Sequence, residues 1–159
     1  MRRAVKVLNI VLALILVSTM VISCFALTPS GKSGSAYVES WQQMIRILNT
    51  PMPILGAVTI LVTFVGALVR RSNRAMAVSL AAAASLLVGS GVITRFCNQP
   101  INVTVMTWSP NFPPVDWESL RDQWWIWHLI RTGFATIALV LLFVGYRPEV
   151  DSAPARATA

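Results

Sequence analysis

The sequence carries little charge, and most of the charge that it has is basic. Only 12% of its 159 residues are Asp, Glu, Lys or Arg, about half the share that is usual in soluble domains. Apolar residues make up 55%, and the 13 basic and 6 acidic residues give a net charge of +7. A chain this short and this poor in solvating charge leaves no room for a separate soluble domain beside a membrane-embedded one.

Residues that build metal and cofactor sites are also scarce. There is one histidine, and no acidic residue lies inside a long apolar segment, which disfavours a His/carboxylate metal site, a haem ligand pair and a carboxylate proton relay. Motifs such as CxxC, HExxH and the glycine-rich phosphate loop are absent. We therefore expect no metal and no cofactor. Cys24 and Cys97 are expected on one side of the membrane, where a disulfide is conceivable, but two thiols packed as small apolar groups are the simpler interpretation.

Four apolar segments are long enough to cross a bilayer. They lie at about residues 7–27, 51–69, 75–97 and 124–146. The predicted fold is all-α, a four-transmembrane-helix bundle formed by residues 1–147 and followed by a disordered cytoplasmic tail at 148–159. The first segment follows basic residues as a signal peptide would, but its apolar stretch exceeds the roughly 7–15 residues typical of such peptides, so we predict a retained helix.

The two longer connections differ in pattern. The first contains five residues on one helical stripe, which predicts a short amphipathic helix at the membrane interface or docked on the bundle. They are Tyr37, Trp41, Met44, Ile45 and Leu48. The second, residues 98–115, is rich in Asn and Pro, so we predict an irregular loop on the outer side rather than a long helix.

Small and aromatic residues suggest how the spans pack. In the third span a small residue recurs every four positions, which predicts a surface for close packing by a neighbouring helix. These residues are Ala77, Ala81, Ser85 and Gly89. In the fourth span, aromatic residues near both ends predict two interfacial belts. These are Trp124, Trp125 and Trp127 at one end and Tyr146 at the other.

The basic residues are distributed unevenly about the four spans. Eight fall on the side of the termini: Arg2, Arg3, Lys6, Arg70, Arg71, Arg74, Arg147 and Arg156. The opposite connections carry three, Lys32, Arg46 and Arg121. This asymmetry predicts a multi-pass protein of the bacterial plasma membrane with both termini cytoplasmic. Basic residues that flank spans do not form a basic groove, so nucleic-acid binding is disfavoured.

Three ionisable side chains lie inside or at the ends of the predicted spans. Arg95 is near the outer end of the third, and His128 and Arg131 are in the fourth. Ionisable groups in hydrocarbon are costly and usually functional. His128 and Arg131 are separated by three residues, a spacing at which helical side chains meet. Since all three share one depth range, we identify them as candidate catalytic residues.

Carboxamides following the third span extend this candidate site. If the helix persists, Asn98 and Asn102 share a face with Arg95, although Pro100 is expected to distort it. We identify both asparagines as candidate substrate-binding residues.

Aromatic residues extend the site on the fourth helix. Trp117 and Trp124 project into the same sector as His128 and Arg131. Apolar walls with a few convergent polar groups are typical of a small-molecule site, so both tryptophans are further candidates for substrate binding.

A structural interpretation of the same residues is also open. Arg95 and Arg131 could extend to the interface or pair with acidic residues of the adjoining segment. Those acidic residues are Asp116, Glu118 and Asp122. His128 could belong to the tryptophan belt, and the asparagines could satisfy backbone groups that Pro100 leaves free.

Three sequence elements carry a family resemblance. They are an Asn-x-Pro-x-Asn motif, a Trp- and Arg-rich segment that leads into His-x-x-Arg, and a Tyr/Gln-to-Pro stretch before the second span. Their residues are Asn98, Pro100 and Asn102; Trp108, Trp117, Arg121, Trp124, His128 and Arg131; and Tyr37, Trp41, Gln42 and Pro51. In these elements the chain resembles the DUF1772 family, whose characterised members include anthrone oxygenases of polyketide biosynthesis, and the resemblance covers nearly the whole chain.

The resemblance implies oxygenation of an activated phenolic carbon acid without metal or flavin, at the outer ends of the third and fourth helices. Arg95 and Arg131 would stabilise a phenolate or enolate, and His128 would accept its proton. Trp108 and Arg121 join the candidate substrate-binding residues. On this hypothesis, replacing either His128 or Arg131 with Ala abolishes turnover without loss of membrane expression.

Two other functions remain open from the residues alone. One is a non-catalytic membrane protein that binds a lipid, quinone or anionic metabolite, and the other is a structural membrane subunit. The partners of Arg131 discriminate between the oxygenase-like enzyme and the structural subunit, because an inward position beside Arg95 and Asn102 favours a site and pairing with Asp122 favours structure. The expected partners are membrane lipids and a hydrophobic aromatic small molecule.

Overall fold

The computed structural model describes residues 2–29, 31 and 33–147, and these form an all-helical fold. The helices are α1 (Arg2–Ala26), α2 (Gly34–Leu48), α3 (Pro51–Val69), α4 (Arg74–Ile93), a π-helical turn (Thr94–Asn98), α5 (Gln99–Val105) and α6 (Trp117–Gly145). The predicted fold class is confirmed. The tail predicted at 148–159 lies outside the described residues.

Four helical segments are long and apolar enough to cross a membrane. They are Arg3–Ala26, Pro51–Val69, Arg74–Val105 and Trp117–Gly145. α1 packs against α3, α3 against α4, α4 against α6, and α6 back against α1, which closes a four-helix bundle. The chain is therefore a multi-pass integral membrane protein.

The third span continues further than the sequence pattern indicated, because the helix accommodates Pro100. In the π-helical turn the N–H of Gln99 bonds to the carbonyl of Thr94, five residues earlier. Pro100 then falls in the first turn of α5, where a missing N–H breaks no helical hydrogen bond. The helix consequently reaches Val105, and the irregular connection shortens to residues 106–116.

The amphipathic helix α2 docks on the bundle, which was one of the two positions predicted for it. Tyr37 and Trp41 are fully buried. Gln42 Nε2 donates to the carbonyls of Val105 and Trp108 at 2.8 and 2.9 Å, which ties α2 to the end of α5. Tyr37 donates its hydroxyl to the Leu27 carbonyl at 2.7 Å, and burial raises the pKa of this phenol, so it stays protonated as a donor.

Only part of the small-residue stripe of α4 packs against a neighbouring helix, because a Cβ added at Gly89 would lie 3.0 Å from Phe134 of α6. Ala81 and Ser85 are exposed, whereas Leu80 is fully buried. At Leu80 the close approach comes from α6, because a Cβ added at Gly145 would lie 2.8 Å from Leu80. A small residue on one helix receives a large residue of the other, so the predicted packing stripe was wrong for Ala81 and Ser85.

The predicted aromatic belts were also partly wrong. Trp124 is 1% exposed and Tyr146 is 2% exposed, so neither side chain faces the membrane interface. Trp124 lies in an aromatic core with Tyr37 and Trp41, over one end of the bundle. This end also holds a small chamber lined by His128 and Arg131, so we call it the chamber end. The opposite end, which holds Arg2 and Gly145, is called the termini end.

A buried polar network joins three helices at the termini end. Asn9 is completely buried and its Nδ2 donates to the Tyr146 hydroxyl at 3.0 Å. Thr63 Oγ1 donates to Asn9 Oδ1 at 2.9 Å, and Lys6 Nζ donates to the Tyr146 carbonyl at 2.8 Å. Buried polar groups are stable only when partnered, so this network fixes how α1, α3 and the end of α6 meet.

Gly66 is expected to be essential for that network. A Cβ at this position would collide with the Tyr146 hydroxyl, so Gly66→Ala should destabilise the protein by about 1–3 kcal/mol through overpacking. Thermal unfolding in detergent would measure this as a lower midpoint. Gly133→Ala is the matched control, because an added Cβ meets nothing there and Ala is the better helix former. Equal midpoints for the two variants would show that Gly66 is not constrained.

Candidate functional site

A small chamber of about 50 Å³ lies at the chamber end, where α1, α2, α3, the extended third span and α6 converge. His128 and Arg131 project into it from α6, and Met20 of α1 and Met52 of α3 form part of its wall. The polar side chain of Thr94, the first residue of the π-helical turn, also borders it. The chamber therefore combines an imidazole and a guanidinium with apolar walls.

His128 is held in one tautomer by its neighbours. Its Nε2 lies 3.0 Å from the carbonyl oxygen of Met20, and since a carbonyl only accepts, Nε2 carries the proton. Nδ1 then holds a lone pair, which accepts from Nε and Nη2 of Arg131 at 3.1 and 2.6 Å. The imidazole is 1% exposed. It is neutral in this arrangement, and both of its nitrogens have partners.

Arg131 faces inward and bonds to neutral groups. Besides His128, its Nη1 donates to Thr94 Oγ1 at 3.0 Å. The acidic residues Glu118 and Asp122, which could have neutralised it, lie 3.3 and 2.8 Å from Arg121. Over the described ranges no ion pair involves Arg131. A guanidinium in a membrane-spanning helix without a carboxylate partner favours binding of an anion.

A clamp around Trp124 positions His128. The indole stacks on the imidazole with ring centroids 4.6 Å apart and an angle of 9° between the planes. Trp124 Nε1 donates to Asn102 Oδ1 at 2.9 Å, and Asn98 Nδ2 donates to the Trp124 carbonyl at 3.0 Å. Both asparagines therefore hold Trp124 in place, and their amide hydrogen bonds do not go to backbone groups freed by Pro100.

An apolar cleft of about 520 Å³ adjoins the chamber. It runs between α3 and the third span, and it shares Met20, Met52, Thr94 and Arg131 with the chamber. Arg131 consequently lies where the two spaces join. A molecule with an apolar body and one oxyanion fits this arrangement, with the body in the cleft and the anion at the guanidinium.

The structure brings together four of the predicted site residues and separates the others. Asn102, Trp124, His128 and Arg131 line one chamber. Arg95 is exposed, and it borders the cleft but not the chamber. Asn98 is buried behind Trp124 and donates to its carbonyl.

Three further predicted residues lie in the aromatic core rather than at the chamber. Arg121 stacks 4.9 Å from the Trp117 ring and 5.8 Å from that of Tyr37. Trp108 packs against Trp41 at 6.2 Å between ring centroids. Their direct contact with a ligand therefore stays a prediction, and their observed contacts are to other side chains.

The sequence patterns did not identify several components of the site. Thr94 accepts a hydrogen bond from Arg131. The one sequence feature that could have identified it is that this polar residue lies next to Arg95 inside an apolar span. The role of the Met20 carbonyl could not be predicted from the sequence, because every residue has a backbone carbonyl. Ser90 Oγ donates to the Arg131 carbonyl at 3.0 Å and holds α4 against α6 beside the chamber. No ionisable residue marked the second span as part of the site, yet Met52 and Pro53 form part of the wall.

Neither cysteine pairing nor a metal cluster is seen in the described part of the chain. Cys24 and Cys97 are both free thiols and half-buried, as the simpler interpretation required. No group of three or more His, Cys, Asp or Glu side chains within residues 2–29, 31 and 33–147 is placed to hold a metal ion.

Comparison with known proteins identifies one family. The sequence model of the family described as anthrone oxygenase matches residues 41–141, which include α3, the extended third span and most of α6. No curated protein and no solved structure shows a significant match. The matched region covers well over half of the chain and contains the chamber residues of the third and fourth spans. The chain belongs to the anthrone oxygenase (DUF1772) family.

Proposed function

We propose that the protein is a cofactor-independent oxygenase that converts an anthrone-like phenolic carbon acid to the corresponding quinone. The observation that carries the proposal is the guanidinium of Arg131, which has neutral hydrogen-bond partners at the junction of a chamber and an apolar cleft. Family membership supplies the type of reaction. The geometry supplies a place for the anion that such a reaction must form.

The first step of the proposed reaction is loss of a proton from the methylene carbon between two aromatic rings. The resulting negative charge is delocalised onto the oxygen of the substrate, where Arg131 stabilises it. A preorganised cation in a site of low dielectric stabilises developing charge far more than water does. The carbon acid therefore ionises in the chamber more readily than in bulk solvent.

His128 has two roles in this proposal. In the structure its Nδ1 accepts from Arg131 and holds the guanidinium in place. When the substrate oxygen accepts those N–H groups instead, the Nδ1 lone pair is released beside the substrate and accepts the methylene proton. The Met20 carbonyl keeps Nε2 protonated throughout, so the two nitrogens do not exchange roles.

The remaining steps need only molecular oxygen as co-substrate. The carbanion transfers an electron to O₂, the radical pair combines, and the peroxide carbon–oxygen bond forms. Protonation of the peroxide, loss of the second methylene hydrogen and cleavage of the O–O bond release water and leave a ketone. One oxygen atom enters the product, the other leaves as water, and O₂ is the oxidant.

The side of the membrane on which this takes place follows from charge. Lys6, Arg70, Arg71 and Arg74 lie at the termini end, and basic residues are enriched on the cytoplasmic side. We therefore propose that both termini are cytoplasmic and that the chamber lies near the outer face of the plasma membrane.

Isotope labelling tests the proposed function. Purified protein in lipid nanodiscs would be supplied with a dihydroxyanthrone under ¹⁸O₂. The expected result is a rate well above that of empty nanodiscs, with one ¹⁸O atom in the anthraquinone and one in water. A rate equal to that of empty nanodiscs would refute the proposed oxygenase activity.

A binding function without turnover is the second candidate. The observation that favours it is the complete engagement of both His128 nitrogens, which leaves no acceptor until Arg131 moves. In that case the protein would bind an anionic aromatic product analogue such as a dihydroxyanthraquinone, and the ¹⁸O₂ experiment would show no acceleration.

A further inference from the structure

The cleft beside the chamber opens on the surface of the bundle at membrane depth. Ala57 of α3, together with Gly91 and Val103 of the third span, lines the cleft and is also exposed. These residues belong to segments apolar enough to cross a bilayer, so we expect the mouth of the cleft to face lipid, with the exposed Arg95 at its border. An apolar ligand in the cleft is therefore in continuity with the lipid.

Two glycines keep this cleft wide. Gly56 on α3 and Gly91 on α4 both line it, and a Cβ added at either position would meet nothing within 4 Å. Glycine inside a helix is less favourable than alanine by about 0.5–1 kcal/mol, and neither residue is required by close packing against a neighbour. Their shared property is the absence of a side chain at the wall of the cleft.

The same glycines lie close to the cation. Gly91 precedes Thr94 by three residues and Gly56 follows Met52 by four, which is about one helical turn in each case. Both Thr94 and Met52 border the chamber as well as the cleft. A ligand whose oxygen reaches Arg131 must therefore extend its body past the two glycines, since the chamber itself holds only about 50 Å³.

We propose that Gly56 and Gly91 determine which substrates the site accepts, by leaving room for a flat, fused three-ring aromatic body in the cleft while its acidic oxygen binds Arg131. This inference rests on the proposed function for the identity of the ligand. It assigns the body of the substrate to the lipid-facing cleft between α3 and α4 and the reacting end to the chamber. Single-ring phenols do not extend to the glycines, so they gain nothing from the width of the cleft.

Side chains added at the two glycines test this assignment. Gly56→Leu and Gly91→Leu would be compared with Gly133→Leu, which lies on α6, is exposed and has equally open space around its Cβ. Leu is a better helix former than Gly, so all three variants are expected to fold. Binding would be measured in nanodiscs by quenching of tryptophan fluorescence, with a dihydroxyanthraquinone and a single-ring phenol as probes.

The expected result is a loss of at least tenfold in affinity for the three-ring probe in Gly56→Leu and Gly91→Leu. The affinity of both variants for the single-ring phenol, and that of Gly133→Leu for both probes, should match wild type. Unchanged three-ring affinity in both cleft variants, or an equal loss in Gly133→Leu, would overturn the assignment. So would a wild-type protein that does not bind the three-ring probe.

The binding experiment tests the assignment of the cleft independently of the proposed reaction. A dihydroxyanthraquinone has no methylene group to oxidise, so its binding does not depend on turnover. If wild type binds it with the predicted pattern among the variants but the ¹⁸O₂ experiment shows no acceleration, the cleft assignment stands and the oxygenase proposal fails.

Discussion

Arg131→Met is expected to lower kcat for dihydroxyanthrone oxidation by about 100- to 1,000-fold, the usual effect of removing one group that stabilises an oxyanion. Arg131 is the one guanidinium that we place at the reacting oxygen, with its N–H groups now directed at His128 and Thr94. Met has a similar length and no charge, so it fills the space without stabilising the anion. Initial rates of quinone formation in nanodiscs would measure the effect.

Stability should change much less than activity in this variant. The loss of Arg131 leaves His128 Nδ1 without its donor, which costs about 1–3 kcal/mol for a buried polar atom, but it also removes a charge from the membrane-spanning region. The unfolding midpoint therefore reports whether a loss of activity is only a loss of fold. A well-folded variant with wild-type kcat would contradict the role given to Arg131.

Arg95 and His128 provide the comparisons for Arg131. Arg95→Met changes an exposed residue at the border of the cleft, so we expect less than a tenfold effect on kcat. His128→Ala removes the acceptor that positions Arg131 and the proposed base, so its loss should approach that of Arg131→Met. Full activity in both the Arg131 and His128 variants would exclude the proposed mechanism.

Trp124→Ala is expected to have the largest effect on stability, a loss of about 3–5 kcal/mol. Trp124 is 1% exposed and packs between the Trp41 ring, at 5.5 Å between centroids, and the His128 ring at 4.6 Å. Truncation leaves a cavity in the aromatic core and removes the partner of Asn102. Thermal or denaturant unfolding in detergent would measure the change.

Two milder substitutions make this prediction specific. Trp125→Ala on the same helix removes a half-buried indole whose centroid lies 6.4 Å from that of His128, and it should cost less than half as much. Trp124→Phe keeps an aromatic ring over His128 but lacks the donor to Asn102, so it should recover most of the stability. Equal losses in Trp124→Ala and Trp125→Ala would show that the core does not depend on Trp124.

The membrane-spanning helices and the candidate residues of the fourth span could be predicted from local sequence. Hydropathy over about twenty residues reports whether a segment can lie in lipid, whatever its neighbours are. The spacing of His128 and Arg131 already required them to meet, because positions three apart on a helix are adjacent. Their hydrogen bond follows from the geometry of one helix.

Burial and docking could not be predicted in the same way. The apolar stripe of α2 is equally suited to lipid and to protein, so the pattern left both positions open until the tertiary contacts of Gln42 decided between them. Trp124 and Tyr146 have the composition of interfacial belts, yet both point inward. Whether an aromatic side chain faces the membrane depends on which helix packs beside it.

The four spans, the all-α class and the polar residues near the ends of the third and fourth helices could all be predicted from the amino-acid pattern. These properties depend on the composition and period of single segments. Three features of the site became visible only in the packed bundle. A carbonyl of α1 fixes the His128 tautomer, Thr94 rather than a carboxylate accepts from Arg131, and α3 forms a wall of the cleft. Each of these joins elements distant in the chain, so each required the packing of the helices to be known.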